Sequence, residues 1–326
     1  MTATGRSAIP AGVRGARITG WGTSLPPTVV TNADYEARLD TSDEWITERT
    51  GIKERRHGGT TAGLAVEAGR AALDMAGLTG ADIDFVLLAT TTPDYHIPST
   101  ASQVQQELEI AGGACDLNAA CSGFVYGLVH AHGLIAMGLN RVLLVGAETL
   151  SRLTDQDDRN TAILFGDGGG AVVLEASDDD QLLAFDMGSD GAARKLLDAP
   201  IGGYMQMNGK EVFRKAVTVM VDSARASMAA AGVEPDDIAL VVPHQANIRI
   251  IEAACSRLGI GSERVSTVLH ATGNTSSASI PLALAQALDG DRVRPGDLVL
   301  LVGFGAGMSW ASAVVRWTGH LPEAGA

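Results

Sequence analysis

The chain lacks most of what would mark a disulfide, metal, membrane or nucleic-acid-binding protein. Among 326 residues only Cys115, Cys121 and Cys255 are cysteines. So sparse and odd a set, without ligand spacing, supports neither a disulfide framework nor a zinc site. Cys115 and Cys255 read as small buried hydrophobes. His57, His96, His130, His132, His270 and His320 show no ligand spacing either. Positive charge is short: 24 Lys and Arg stand against 38 Asp and Glu, a net charge of −14. That argues against nucleic acid as the main partner, and any acidic partner must meet a local basic patch. No stretch reaches membrane length without Gly or charge. Residues 1–12 carry no apolar run and read as a flexible tail, neither signal peptide nor span. The expectation is a soluble, cytoplasmic protein away from membranes, with either about two domains or one large α/β unit.

What is present is an alternation of buried strands and helices. Ala16 to Gly22 reads as a first strand, and Asn32 to Leu39 has helical character. Thr41-Ser-Asp-Glu precedes Trp45 as a helix start. Gly63 to Ala76 is a helix closed by Gly77, and Ser99 to Glu109 another. Ile83 to Ala89 and Arg141 to Gly146 are continuous apolar runs of strand length, suited to strands covered on both faces. Ala162 to Glu175 reads as a hairpin pair. Inside it Gly166-Asp-Gly-Gly-Gly170 lacks the Lys-Ser/Thr ending of a phosphate loop and reads as close packing.

The second half repeats this order. Ile238 to Val242 answers Ile83 to Leu87, and Asp297 to Gly303 answers Arg141 to Gly146. Asn274 to Leu284 answers a turn and helix near Cys121, and Ala311 to Arg316 answers Gly170 to Glu175. The first three of these pairs share a displacement of about 155 residues, too long for a solenoid and suited to duplication. Two α/β halves, 13–180 and 181–326, should stack as α/β/α/β/α layers about a pseudo-twofold axis. Their equivalent loops then converge, bringing Cys121 of one half towards His244 and Asn274 of the other.

Cys121 stands where the polar turn of Asp116-Leu-Asn-Ala-Ala gives way to an apolar segment through Leu128 and Ile135. A helix apolar nearly all round is buried. In its first turn, unpaired N–H groups and the positive dipole end favour a thiolate, and a nucleophile there is suited to accept an acyl group. Taken alone, the stretch also fits an ordinary buried cysteine.

These residues together resemble the thiolase superfamily, and within it the β-ketoacyl-acyl carrier protein synthase III family. Asn118-Ala-Ala-Cys-Ser-Gly-Phe124 is similar to that family's nucleophile motif, Pro243-His-Gln-Ala-Asn247 to its histidine motif and Gly273-Asn-Thr-Ser-Ser-Ala-Ser279 to its asparagine motif. Trp45 to Arg55, Phe165 to Gly168 and Gly303 to Gly307 extend the resemblance, which spans about Ala16 to Trp317. Thiolases use a second cysteine near the C-terminus, absent here, and elongating ketosynthases use two histidines.

The resemblance implies a homodimeric initiating ketosynthase of thiolase fold with no cofactor. Acyl-CoA acylates Cys121; malonyl-acyl carrier protein then loses CO2, and its enolate attacks the acyl group. His244 and Asn274 are implied as donors to the enolate oxygen, and the backbone N–H groups of Cys121 and Ala306 as the hole for the tetrahedral adduct. For CoA it points to Trp45 and Arg159 around the adenine, Arg49 and Arg249 near the phosphates, and Gly209, Phe213 and Asn247 along the pantetheine tunnel. Arg214, Arg249 and Arg257 form an implied docking patch for the carrier protein. Ile97, where many relatives carry an aromatic residue that crosses the dimer interface, would leave room for a branched or longer primer. Two other functions stay open at this point: a secondary-metabolism acyltransferase or condensing enzyme with another acceptor, and a catalytically idle ketosynthase-like partner subunit.

Overall fold

Alternating burial along the strands sets the layering. Val142 and Leu144 pack into one core while Leu143 and Val145 pack into another, and all four are fully buried. Successive strand side chains point to opposite faces, so this sheet is covered on both sides, as its unbroken apolar run predicts.

The computed structural model describes residues 6–9, 12–179 and 181–319. Its strands are β1 Arg6–Ala8, β2 Gly15–Ser24, β3 Thr28–Thr31, β4 Glu54–His57, β5 Phe85–Ala89, β6 Gly113–Leu117 and β7 Arg141–Thr149. They continue as β8 Asp167–Ser177, β9 Leu182–Ser189, β10 Leu197–Asp198, β11 Gln206–Met207, β12 Ile238–Pro243, β13 Leu298–Gly305 and β14 Ser309–Arg316. The helices are α1 Asn32–Glu36, α2 Asp43–Thr50, α3 Thr61–Ala76, α4 Thr100–Glu107 and α5 Gly123–Ala136. They continue as α6 Arg159–Ala162, α7 Gly209–Ala231, α8 Ile248–Leu258, α9 Leu269–Thr272 and α10 Ser279–Asp289.

Two five-stranded sheets carry the fold, ordered β2-β8-β7-β5-β6 and β1-β9-β14-β13-β12. In each, two neighbouring strands run parallel, β5 with β7 and β12 with β13, and the next strand, β8 or β14, returns antiparallel. Helices α5 and α10 lie between the sheets. Phe124, Leu128 and Ile280 share one core with Leu144 of the first sheet and Val299 and Leu301 of the second. Helices α3 and α4 cover the outer face of the first sheet, and α7 and α8 that of the second. This is a five-layered α/β/α/β/α thiolase-like body.

The duplication reaches single residues. Ala120 (φ 48°) and Ser276 (φ 47°) both adopt the left-handed conformation that side chains usually avoid. Each opens a 3₁₀ turn, Ala120–Ser122 or Ser276–Ala278, that feeds straight into α5 or α10.

Several details differ from the sequence reading. Residues 1–12 are not all loose tail, because β1 pairs antiparallel with β9 and covers what would otherwise be an open sheet edge. Ala162 to Glu175 is not a hairpin: α6 ends at Ala162 and β8 runs unbroken between β2 and β7. Its glycines serve close approach rather than turning, since a Cβ on Gly170 would meet the Pro281 ring at 2.8 Å. Cys115 is exposed on the edge strand β6, whereas Cys255 is buried. His320 lies outside the described residues. Among the described residues no helix is long and apolar enough to cross a membrane.

Candidate active site

Cys121 lies in the 3₁₀ turn just before α5, one step outside the helical turn expected for it. The turn is clamped on the end of β13. A Cβ on Gly305 would stand 2.5 Å from the Cys121 backbone nitrogen, so only glycine permits this approach. The hydroxyls of Ser122 and Ser309 lie 2.7 Å apart and within 2.9 and 2.8 Å of the Ala119 carbonyl, so one donates to that carbonyl while the other donates to its partner hydroxyl. Ala306, next along, keeps negative φ and leaves the left-handed position to Gly307 (φ 128°), so its methyl group is accommodated.

His244 follows β12, its N–H donating to the Val302 carbonyl of β13 at 2.8 Å. Its ring meets Phe304 edge-on, with centroids 5.5 Å apart. The buried Gln245 pins this loop. Its Nε2 donates to the Pro243 and Ser266 carbonyls, and its Oε1 accepts the N–H groups of Val268 and Leu269. Asn274 comes after Gly273, and its N–H donates to the Leu164 carbonyl at 2.8 Å. Its Oδ1 accepts the Ser276 N–H at 2.9 Å. The carboxamide is thereby oriented, leaving Nδ2 as the end that donates.

Cys121, His244 and Asn274 all line one cavity of about 1590 Å³. Burial pushes the Cys121 thiol up to about 12, reinforced by the nearby Glu148 and only partly opposed by the neighbouring Ser276 hydroxyl. Burial also pulls the His244 imidazole down to about 3. At neutral pH the resting site therefore holds a thiol and an uncharged ring. Against the thiolate expected from the helix terminus, burial of the sulfur favours the thiol. His244 Nδ1 is buried without a hydrogen-bond partner, so no described protein group dictates its tautomer.

One measurement checks this. An unfolded imidazole takes its proton near 6.5 and the folded one near 3. His244 should therefore stay uncharged on acidification, and its contribution to stability should fade as pH drops from 6.5 towards 3. In an NMR titration between about pH 8 and pH 5, its ring signals should stay flat while exposed histidines titrate. A midpoint near 6.5 for His244 would contradict the burial argument.

The cavity mouth is cationic in an otherwise acidic chain. Arg49, Lys195, Lys210, Arg214 and Arg249 line it, against Asp198 as the sole carboxylate in that lining. Ser42 caps α2 by accepting the Trp45 N–H, and Arg49 follows one turn on. The Arg49 and Arg159 guanidinium carbons lie 4.7 and 5.1 Å from the Trp45 ring centroid. A base needs about 7 Å between two stacking planes, so a purine cannot enter beside Trp45 until a guanidinium moves. Arg159 is held by the Asp40 carbonyl at 2.7 Å and by its exposed carboxylate at 3.5 Å, a weak tether. Asn247 caps α8 through Oδ1 and donates Nδ2 to the Arg49 carbonyl, tying α2 to α8. Gly209 and Phe213 line the cavity too, and Arg249 sits 5.9 Å from the Phe213 ring.

Three residues singled out in the sequence do not line this cavity, Arg159 touching it only through Trp45. Arg257 is exposed in the last turn of α8, and Ile97 is 88% exposed beyond β5. Sequence reading also missed groups that the fold makes central. Glu148 is fully buried and accepts from the Thr91 N–H and from the hydroxyls of Thr92 and Ser277, fixing the loop after β5. Its one signal is a lone acid at the end of an apolar run. Arg55, also fully buried, donates to Asn32 Oδ1 at 2.9 Å and to the Ile163 carbonyl, bracing the cavity wall.

Comparison with known proteins adds lineage to this geometry. Residues 115–191 match the family model described as 3-oxoacyl-[acyl-carrier-protein (ACP)] synthase III, and residues 228–317 its C-terminal counterpart. The beta-ketoacyl-[acyl-carrier-protein] synthase III of Roseiflexus sp. (strain RS-1) is 48% identical, across 93% of this chain and 98% of that one. The crystal structure of 3-oxoacyl-[acyl-carrier-protein] synthase III from Aquifex aeolicus VF5 superposes with a TM-score of 0.91 at 45% identity, covering 93% of this chain and all of that one. The priming beta-ketosynthase of the R1128 polyketide pathway gives 0.89 at 35% identity, covering 95% and 99%. With near-complete coverage in both directions and a shared fold, the chain belongs to the β-ketoacyl-[acyl-carrier-protein] synthase III family.

Proposed function

We propose that this protein is an initiating β-ketoacyl-acyl carrier protein synthase, with Cys121 as nucleophile and His244 and Asn274 as donors to the enolate. The carrying observation is that a thiol from one half and an imidazole and a carboxamide from the other share one cavity with a cationic mouth. The Cys121 sulfur attacks the acyl-CoA carbonyl, CoA leaves as its thiol, and the acyl group remains as a thioester. Malonyl-acyl carrier protein next loses CO2, placing negative charge on its thioester oxygen. A neutral ring N–H and the Asn274 Nδ2 suit that charge, and enclosure strengthens both contacts. The enolate carbon attacks the acyl-cysteine, and collapse of the adduct frees Cys121 and 3-oxoacyl-acyl carrier protein.

Acyl-CoA is thus a substrate, and the reaction calls on no resident cofactor. Its 3′-phosphoadenosine end is assigned to Trp45, Arg49, Arg159 and Arg249, with Arg159 swinging aside to admit the base. Gly209, Phe213 and Asn247 are assigned to the pantetheine arm, and the Cys121 and Ala306 N–H groups to the tetrahedral oxyanion. Arg214, Arg249 and Arg257 are assigned to the acidic carrier. We place the protein in the cytoplasm as a homodimer, in which the exposed Ile97 reaches the partner's acyl pocket and leaves room for a branched or longer primer.

Mass spectrometry after mixing with acyl-CoA should find the adduct on the Cys121 peptide, and malonyl-acyl carrier protein should then discharge it as a 3-oxoacyl product. No adduct there, or discharge equally by malonyl-CoA, would overturn the assignment. Arg249→Glu should raise KM for malonyl-acyl carrier protein about tenfold at low salt, with the difference shrinking as ionic strength rises. Unchanged steady-state kinetics would remove Arg249 from docking.

A further inference from the structure

Arg55 is the largest fully buried side chain among the described residues, and it forms no ion pair with any of them. Its guanidinium meets neutral acceptors only. Nη1 donates to Asn32 Oδ1 at 2.9 Å and to the Val30 carbonyl at 3.3 Å, and Nη2 donates to the Ile163 carbonyl. Its Nε finds no partner. Burial pulls the group down only to about 10, so it is charged at neutral pH, with the Tyr35 ring centroid 4.8 Å from its carbon. An unpaired buried cation destabilises a fold, so packing alone does not account for this one.

The side chain lies against the backbone that leads into Asn274. Gly273 has φ 63° and ψ −162°, a conformation open essentially only to glycine. A Cβ there would stand 3.0 Å from the Arg55 Cβ and 2.8 Å from the Leu164 carbonyl oxygen. Nη2 holds Ile163, and the next carbonyl, that of Leu164, accepts the Asn274 N–H at 2.8 Å. The Asn274 carbonyl in turn accepts the Gly166 N–H at 3.0 Å. Ile163, Leu164 and Phe165 all line the cavity. Reaching Asn32 on one side and Ile163 on the other suits a planar fork that carries donors and no acceptor.

We propose that Arg55 is a positioning residue for the enolate-stabilising donor: its two-armed guanidinium fixes the segment 163–165 on which the Asn274 backbone hangs, and so sets where the carboxamide points during decarboxylation. The inference rests on Asn274 acting as that donor.

Arg55→Lys keeps the charge and the stem but replaces the two arms with donors at a single point. Release of CO2 from malonyl-acyl carrier protein by pre-acylated enzyme should fall about tenfold, the size of one lost hydrogen bond to a charged group. Acyl transfer from acyl-CoA to Cys121 should stay within about twofold of the parent, whereas a general loss of packing would slow both steps. Arg55→Met, of similar length and without the buried charge, should show the same split and decides the matter should the lysine variant fail to fold. In the Asn274→Ala background either substitution should change CO2 release less than about twofold, because residues acting through one group are not additive. Unchanged CO2 release in a folded variant, equal slowing of both half-reactions, or a full further loss on top of that of Asn274→Ala overturns the proposal. Asn274→Ala releasing CO2 at the parent rate would instead overturn the reading of Asn274 as the donor, and this inference with it.

Discussion

Asn274→Ala will leave transfer of the acyl group to Cys121 nearly intact and slow malonyl decarboxylation about 150-fold. Loss of one preorganised donor to a developing oxyanion costs about 3 kcal/mol of transition-state stabilisation. The preorganisation is visible: the Oδ1 end is anchored on the Ser276 N–H at 2.9 Å, and the backbone is tied to Leu164 and Gly166. Acylation draws on other donors, the N–H groups of Cys121 and Ala306, and should not notice the change. The substitution leaves the Ser276 N–H without its acceptor, at about 1–3 kcal/mol of stability. A melting curve should accompany the kinetics. Separate assays of acyl transfer and CO2 release decide the matter: equal slowing of both steps would show that Asn274 shapes the cavity rather than stabilising the enolate.

Gly305→Ala will cripple the enzyme at the acylation step. Gly305 is not a positive-φ residue, so alanine meets no backbone penalty there. What it meets is the nucleophile turn, with the Cys121 nitrogen at 2.5 Å and the Ala120 Cβ at 2.9 Å from the new methyl. Backbone cannot step aside as a flexible side chain does, so the turn and β13 must separate by several tenths of an ångström. Overpacking of this kind costs about 1–3 kcal/mol in stability, and a displacement approaching 1 Å at a reacting atom costs about a hundredfold in rate. Gly133→Ala on α5, whose Cβ would meet nothing within 4 Å, is the control and should melt slightly higher with unchanged activity. Wild-type acylation rates in Gly305→Ala, measured by labelling of Cys121, would show that the close approach is not needed.

Much of the fold was legible because the sequence states it twice. The apolar runs at Ile83 and Arg141 and their echoes at Ile238 and Asp297 became β5, β7, β12 and β13, in matching positions of two sheets. The start of α2 and the end of α3 were readable from Ser42 and Gly77, because capping depends on a few adjacent residues. Glycine was the least reliable guide. The cluster before Ala171 marks tight packing within a strand, not a turn, and composition cannot separate the two uses of a missing Cβ. The tail misled for a related reason: whether Arg6–Ala8 forms a strand depends on the edge that β9 presents.

By itself the sequence determined the layered α/β architecture, its duplication and the choice of Cys121, His244 and Asn274 as the candidates for the chemistry. Local periodicity and short motifs carry that information within a few residues. Tertiary structure alone decided the protonation of the site, because desolvation of Cys121 and His244 depends on walls drawn from the whole chain. It also decided that Arg159 starts on Trp45 and that Glu148 and Arg55 brace the site from behind. Each of these is a meeting of residues far apart in the chain, and spacing along a sequence does not measure distance across a fold.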